Sequence, residues 1–345
     1  MKKGNTSIKS VADKTINSNN HATNDTSEFQ EDSDISNNVR PKNFEDFPGR
    51  DKEINEIKIM IDSAKKRGAT LDHILLYGPP GLGKTSLAYV IAKEVGSNIK
   101  IITGPMLKKN ADLISILTSI TKRDIVFIDE IHRMSKETQE ILYSAMEDFR
   151  LDIIIGKGVS ARSISIDIPE FTLVGATTKI SLLSSPFRDR FGLHLRLDYY
   201  SIQDLINIIK RSANILDIEI DEKASDAIAK RSRGTARLAI RYLKRLRDYA
   251  IVSGSRKIVF ESALIGLKAL GIDENGFDNI DRLIIDLLVD RYPKALGIKT
   301  ISAIVNEDVS TIEDVYEPYL LKQGFIHKTE KGRVATEKAR GYKST

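Results

Sequence analysis

The segment Gly78-Pro79-Pro80-Gly81-Leu82-Gly83-Lys84-Thr85 has the spacing G-x-x-x-x-G-K-S/T. Its chemistry is phosphate chemistry. The glycines let backbone N–H groups close on phosphate oxygens, and the start of a following helix adds positive potential. Lys84 is placed to neutralise β- and γ-phosphates, and the Thr85 hydroxyl to hold Mg²⁺. A Gly/Pro turn before an ordinary helix looks similar, but here an apolar run precedes the loop and a helical pattern follows it. That is the context the motif requires. Further on, Ile125-Val126-Phe127-Ile128 ends in Asp129-Glu130. Acids commonly finish strands, so alone this says little. Downstream of a phosphate loop, Asp129 reads as support for Mg²⁺ through water and Glu130 as the group that polarises an attacking water. A nucleotide-binding switch or a small-molecule kinase does not need Glu130, so the pair points to hydrolysis.

Three further positions bear on the same site. The apolar run 171–176 ends in Thr177-Thr178, where a polar residue can sense a γ-phosphate or merely cap a strand. Ser185-Pro186-Phe187-Arg188-Asp189-Arg190-Phe191-Gly192 sets two arginines around an acid. They read as a surface ion pair or as a finger projected into a neighbouring subunit. Arg237, near the start of a helical pattern, can reach back to the phosphates of its own chain.

Elements must position these groups. Apolar runs at 73–77, 100–103, 124–128 and 171–175 read as buried strands, with helical patterns such as 53–66 and 84–94 between them. That alternation predicts an α/β fold, a parallel sheet with helices on both faces. Strand, turn, strand over 151–155, Gly156-Lys157-Gly158 and 163–168 predicts a β-hairpin inserted into it. From 201 to 271 only helices are expected, starting in a capping-box pattern at 201–204. A third region has helical spacing from Ile280, a short helix at 300–306, and a longer one at 311–323 capped by Ser310 with Glu313 three residues on. A hairpin follows at 325–329 and 333–336. Three helices and a hairpin make the winged-helix arrangement. The expected organisation is a disordered tail over 1–38, a large ATPase domain over 39–200, an all-α lid over 201–272 and a winged-helix domain over 273–345.

Composition narrows the classes. The 345 residues are 41% hydrophobic and 29% charged, the profile of a water-soluble globular protein without a membrane-length apolar run. Cysteine is absent, which removes disulfides, cysteine-based zinc sites, iron–sulfur clusters and thiol nucleophiles. The tail lacks a secretory apolar stretch, and Asp25, Glu28, Glu31, Asp32 and Asp34 argue against a mitochondrial transit peptide. The expected location is the cytoplasm. Lys and Arg exceed Asp and Glu by 53 to 48, a net charge of only +5. The surplus is local, however. Lys322, Lys328, Lys331, Arg333, Lys338, Arg340 and Lys343 crowd the last stretch, while the third helix of the winged domain carries Glu313, Asp314 and Glu317. An acidic helix is a poor phosphate binder. A basic hairpin would follow a DNA backbone without reading sequence.

From Arg40-Pro41-Lys42 to Thr336 the chain resembles the RuvB family, bacterial AAA+ motors that drive Holliday-junction branch migration. Beyond the phosphate loop, the resemblance is carried by Ile128-Asp129-Glu130-Ile131-His132-Arg133, Ala145-Met146-Glu147-Asp148-Phe149, Gly156-Lys157-Gly158, Gly175-Ala176-Thr177-Thr178 and Ile312-Glu313-Asp314-Val315-Tyr316-Glu317-Pro318-Tyr319-Leu320. It implies an ATP hydrolase using ATP and Mg²⁺. Val39 and Arg40 would contact the adenine end, with Tyr200 and Glu147, Asp148 and Phe149 nearby. Gly81, Lys84, Thr85 and Ser86 would hold phosphates. Arg190 would be the arginine finger, Arg237 the sensor-2 arginine, and Thr178 the sensor-1 residue. It further implies a hexameric ring, docking of the partner RuvA on the hairpin 151–168 with apolar residues such as Ile153 and Ile155, a resolving complex with RuvC, and DNA contacts at Lys328 and Arg333. Departures are Ala236 where the family usually has Pro, Pro48-Gly49-Arg50 for Ile-Gly-Gln, and Lys328 for Arg, which keeps the charge and loses the forked donor geometry. Two rival readings are a clamp-loader or replication-initiator relative, against which the hairpin and the wing argue, and a nucleotide-gated DNA-binding regulator, against which the acidic third helix argues.

Overall fold

The computed structural model describes residues 39–107, 109–155 and 162–342. The chain divides into two units, Met1–Arg40 and Pro41–Thr345, and the sheet, lid and winged regions all belong to the second. The expected tail and the Gly156-Lys157-Gly158 turn lie outside the described residues.

Five parallel strands form the central sheet: β1 (Ile74–Tyr77), β2 (Ile99–Thr103), β3 (Ile125–Asp129), β6 (Thr172–Thr177) and β7 (Leu193–Arg196), in the order β2-β3-β6-β1-β7. Successive residues of the inner strands β1, β3 and β6 enter different cores. Ile74, Leu76, Phe127 and Val174 pack with the helices Asp51–Arg67 and Lys84–Val95. Leu75, Val126, Ile128 and Leu173 pack with Asn110–Leu117 and Lys136–Asp148. A strand buried on both faces has to be apolar throughout, which is why β1, β3 and β6 are legible as runs; β2, an edge strand with Ile101 exposed, is legible because Ile99, Ile101 and Ile102 still crowd it. The fifth, β7, is an edge strand with His194 and Arg196 exposed, and so carries no such run.

β4 (Arg150–Ile155) and β5 (Arg162–Asp167) form the inserted antiparallel hairpin, with Leu151 opposite Ile166. Ile164 and Ile166 are exposed on it.

The next region comprises the helices Ile202–Ile215, Glu222–Arg231, Ala236–Val252 and Phe260–Ala269. Ser201 accepts from Asp204 N–H while Asp204 receives Ser201 N–H, the expected capping box. The region is not strand-free. The two-residue strands β8 (Glu219–Ile220) and β9 (Lys257–Ile258) pair in parallel, too short to leave a period in the sequence. Leu205, Ile209, Ile228 and Leu243 continue the first core, so this lid is packed onto the sheet domain.

The last region has its own core, built on Phe277, Ile284, Leu288, Leu320 and Phe325. Its helices are Asn279–Asp290, Ile298–Val305 and a third one made of Val309–Thr311, a π turn Ile312–Tyr316, and Glu317–Lys322. The third helix starts at Val309 behind Asp308, so Ser310 lies inside it and is not its cap. Pro318 has no N–H for the carbonyl four residues back, and the wider π turn absorbs that break. β10 (Ile326–Thr329) and β11 (Gly332–Ala335) form the wing, with Lys328 paired to Arg333.

Candidate functional site

β1, β3 and β6 are parallel and adjacent, so their C-terminal ends share one edge of the sheet. The phosphate loop leaves β1, Asp129-Glu130 ends β3 and Thr177 ends β6 there. The loop needs glycine for a stated reason. Gly78 has φ +141°, and a Cβ on it would sit 2.2 Å from Leu197 O. Lys84 opens the next helix. Its Nζ donates to Gly78 O and Pro79 O, both at 2.8 Å, and the side chain is buried. Burial pulls the ammonium down to about 8; the Asp129 carboxylate opposes that, and the Arg237 guanidinium adds to it.

Lys84, Thr85 and Ser86 occupy the first turn of Lys84–Val95, where backbone N–H groups have no intrahelical acceptor. The Thr85 hydroxyl donates to Asp129 Oδ2 at 3.1 Å. A hydroxyl and a carboxylate in contact are hard oxygen donors suited to Mg²⁺. Among the described residues no group of three His, Cys, Asp or Glu side chains could hold a metal by itself. The residues present therefore fit an ion that arrives with phosphates and keeps other oxygens, as Mg²⁺ does.

Glu130 follows with φ +49°, a left-handed backbone that a non-glycine residue adopts at a cost. Gly104 allows the close approach of the neighbouring turn: a Cβ there would lie 2.3 Å from Glu130 O. The Glu130 carboxylate is half-exposed and paired with Arg133 at 2.9 Å. Thr178 is exposed beyond the end of β6, whereas Thr177 is buried. Thr177 Oγ1 shares a 2.9 Å hydrogen bond with His132 Nδ1. Burial lowers the His132 imidazole below its usual value, with the Glu130 carboxylate opposing. No local sequence pattern signals this Thr177–His132 contact, although His132 stands in the segment Ile128–Arg133 that carries the family likeness.

The lid sits on the loop. Arg237 N–H donates to Gly81 O at 3.2 Å, and a Cβ on Gly81 would lie 3.1 Å from Arg237 Cβ, while the Arg237 side chain is exposed. Tyr200 is buried, donates to Leu82 O at 3.1 Å and carries Arg50 over its ring at 4.2 Å. Pro48-Gly49-Arg50, a departure in sequence, thus supports that wall. Expected together near an adenine, Tyr200 and Glu147 have separate partners. Glu147 pairs with Arg190, which also donates to Tyr143 OH at 2.6 Å and stacks over its ring. Asp148 is exposed, and Phe149 packs against Phe171 and His73. Val39 and Arg40 belong to the first unit.

At the wing, Arg333 is buried. It donates to Glu317 at 2.6 Å and Glu313 at 3.2 Å. Lys328 reaches Glu317 at 3.1 Å with its own side chain 56% exposed. Lys338 lies over Phe325, Lys322 over Tyr199, and Arg340 pairs with Glu337. Lys331, at the exposed turn, has no such partner among the described residues.

A phosphate loop at the C-terminal end of a central parallel strand, acids on a neighbouring strand, a helical lid on the loop and a winged helix define an ATP hydrolase of the AAA+ class. Three family models match consecutive parts of the chain: the Holliday junction DNA helicase RuvB P-loop domain over 39–197, the RuvB AAA lid domain over 200–273 and the RuvB C-terminal winged helix domain over 274–343. The chain belongs to the RuvB family. It is 51% identical over 310 residues to the Holliday junction branch migration complex subunit RuvB of Nitratiruptor sp., covering 90% of this chain and 92% of that one. It is 50% identical over 314 residues to the subunit of the same name from Helicobacter acinonychis, covering 91% and 93%. Among solved structures, the Thermotoga maritima RuvB Holliday junction branch migration motor superposes with a TM-score of 0.79 at 45% identity, covering 88% and 97%. No helix among the described residues is long and apolar enough to cross a membrane.

Proposed function

We propose that the chain is the ATP-driven motor of Holliday-junction branch migration, acting in the cytoplasm in recombination and DNA repair as a hexameric ring with RuvA and RuvC. The observation that carries the reading is the RuvB likeness of the whole folded chain, from the phosphate loop to the wing, with relatives at about half identity that bear that name.

Thr85 and Asp129 would hold Mg²⁺, which would supply charge neutralisation to the phosphates of bound ATP. The chain's own groups do the rest. Backbone N–H groups of Gly81 and of the turn at Lys84, Thr85 and Ser86 bind phosphate oxygens, and Lys84 exchanges its two carbonyl acceptors for them. Glu130 takes the proton of the attacking water. Either threonine at the end of β6 can read the γ-phosphate, Thr178 because it is exposed there and Thr177 because it is tied to His132. Arg237 closes the lid over the phosphates. Arg190, held by Glu147 and Tyr143, is the finger for the neighbouring subunit, which is why the active form is a ring. In this arrangement the exposed Glu147 and Asp148 lie beside the finger, while Phe149, packed against Phe171 and His73, anchors that helix end. Tyr200 serves the chain's own adenine. The exposed Ile164 and Ile166 give the inserted hairpin 151–168 an apolar face for RuvA; the Ile153 and Ile155 side chains lie outside the description.

DNA is met at the wing through Lys328 and Lys331. Arg333, buried against two glutamates, sets the wing on its helix, and its contact with DNA is made only where those pairs open. Migration of a synthetic four-way junction, with and without RuvA and ATP, tests the reading. Migration that requires ATP and is stimulated by RuvA is expected; ATPase activity without migration would favour a clamp-loader relative.

A further inference from the structure

In the acidic third helix of the winged domain, Glu313 and Glu317 seat the wing, and Asp314 takes no part in that. All three acids are engaged. Glu317 holds Lys328 and Arg333, and Glu313 holds Arg333. Asp314 reaches out of the winged domain, with its Oδ2 2.8 Å from Lys179 Nζ. Lys179 follows the end of β6. Its backbone N–H donates to Thr177 Oγ1 at 3.0 Å, the oxygen that also meets His132 Nδ1. His132 lies in the turn Ile131–Arg133 directly after Glu130. Within one chain, contacts therefore run unbroken from the turn after the proposed base, through Thr177 and Lys179, to the winged domain.

Two observations make the last contact one that can open. The Lys179 and Asp314 side chains are 42% and 46% exposed, so water and salt weaken the pair. A second anchor of the winged domain contrasts with it: Arg233, in the lid, pairs with Asp281, and their side chains are only 8% and 0% exposed. One attachment is buried and fixed while the other is wet and separable, which is the construction of a hinge with a catch. Asp314 also stands in the π turn Ile312–Tyr316, where the regular helical ladder is already interrupted.

We propose that the Lys179–Asp314 ion pair is a latch that positions the winged domain against the end of β6, so that hydrolysis at the sheet edge and DNA load on the wing act on each other through it. Lys179 and Asp314 are positioning residues. The part of the proposal that concerns DNA rests on the motor reading above.

The test uses the full chain with Lys179→Glu, Asp314→Lys, the double reversal and Lys179→Arg. ATP turnover is measured with and without a mixed-sequence four-way junction. Because the chain has no cysteine, spin labels placed through Lys136→Cys and Lys299→Cys report the distance between the sheet domain and the winged domain without DNA. Each single reversal should keep DNA-free turnover, lower the stimulation by DNA about five-fold and broaden the distance distribution. The double reversal should restore both, and Lys179→Arg should match wild type. Single reversals that leave stimulation and distances unchanged overturn the latch, as does a double reversal that melts with wild type yet restores neither. If wild type shows no stimulation by DNA, the motor reading falls, and the distance distributions alone decide the latch.

Discussion

The two charged regions of the chain are held in opposite ways. At the sheet edge, backbone geometry places the groups: Lys84 rests on two carbonyls, Thr85 and Asp129 meet because their elements converge, and Glu130 is set by a left-handed turn. At the wing, side chains hold side chains, and the cations Arg333 and Lys328 share Glu317. A site of the first kind is specified by a motif, because spacing fixes the backbone. A site of the second kind is not, because a count of basic residues ignores the acids that neutralise them. The +5 balance therefore misleads twice: it hides a basic wing, and the wing then spends much of that charge internally.

The largest effect should come from the edge group that reaches furthest. Arg190→Ala is expected to bind ATP and to lose about 10³–10⁵-fold in turnover, as removal of an arginine finger does. Single-turnover hydrolysis beside nucleotide binding checks it. Because Arg190 is held by Glu147 and Tyr143, Tyr143→Phe should show a small part of the same loss. Turnover near wild type in Arg190→Ala would remove the trans site from the comparison.

Glu130→Gln should come next, with about 10²–10⁴-fold slower hydrolysis and retained ATP binding, the usual worth of a positioned base. Trapping of unhydrolysed nucleotide on the purified variant is the measurement. Normal turnover would mean that the pair with Arg133 is the whole role of Glu130.

The same contrast explains what was legible in the sequence. Four of the five sheet strands, the inserted hairpin and the capping box at Ser201 follow from apolar runs and local hydrogen-bonding patterns. β7 is hidden because the exposed His194 and Arg196 interrupt its apolar residues, whereas β2, at the other edge, keeps Ile99, Ile101 and Ile102; β8 and β9 are hidden because two residues carry no period. In the third helix of the winged domain, the Ser310–Glu313 spacing resembles a cap, but Asp308 precedes the helix, and the π turn before Pro318 leaves no regular period to read. In the site, Lys84, Thr85 and Asp129 were legible from spacing. The contacts of Thr177 with His132, of Glu147 with Arg190 and of Lys179 with Asp314 join residues 45, 43 and 135 positions apart by number, which no local pattern encodes.

Arg333→Ala probes the wing's internal pairing. Arg333 and Glu317 are 8% and 6% exposed, so removing Arg333 leaves the buried Glu317 with only the half-exposed Lys328 and should cost about 1–3 kcal/mol. Urea unfolding of the full chain should show the C-terminal region melting first. Arg333→Met combined with Glu317→Leu should recover most of the loss, because the buried, under-paired carboxylate is then gone. An Arg333→Ala variant as stable as wild type but weaker on DNA would make Arg333 a contact residue and erase the contrast between the regions.

Lys328→Ala should have the smallest effect and the most diagnostic one. Lys328 is more than half exposed and shares Glu317 with Arg333, so its loss leaves Glu317 paired and folding stability nearly unchanged. If Lys328 meets a phosphate, the variant should bind DNA more weakly on every sequence, and the slope of log affinity against log salt should fall by about one. Lys331→Ala should act alike, and the two should add, because Lys331 has no partner among the described residues to reorganise around it. A loss confined to one DNA sequence would mean that the wing reads bases. A slope unchanged in both variants would place the phosphate contact elsewhere on the winged domain and leave the wing's cations as structural partners of its acidic helix.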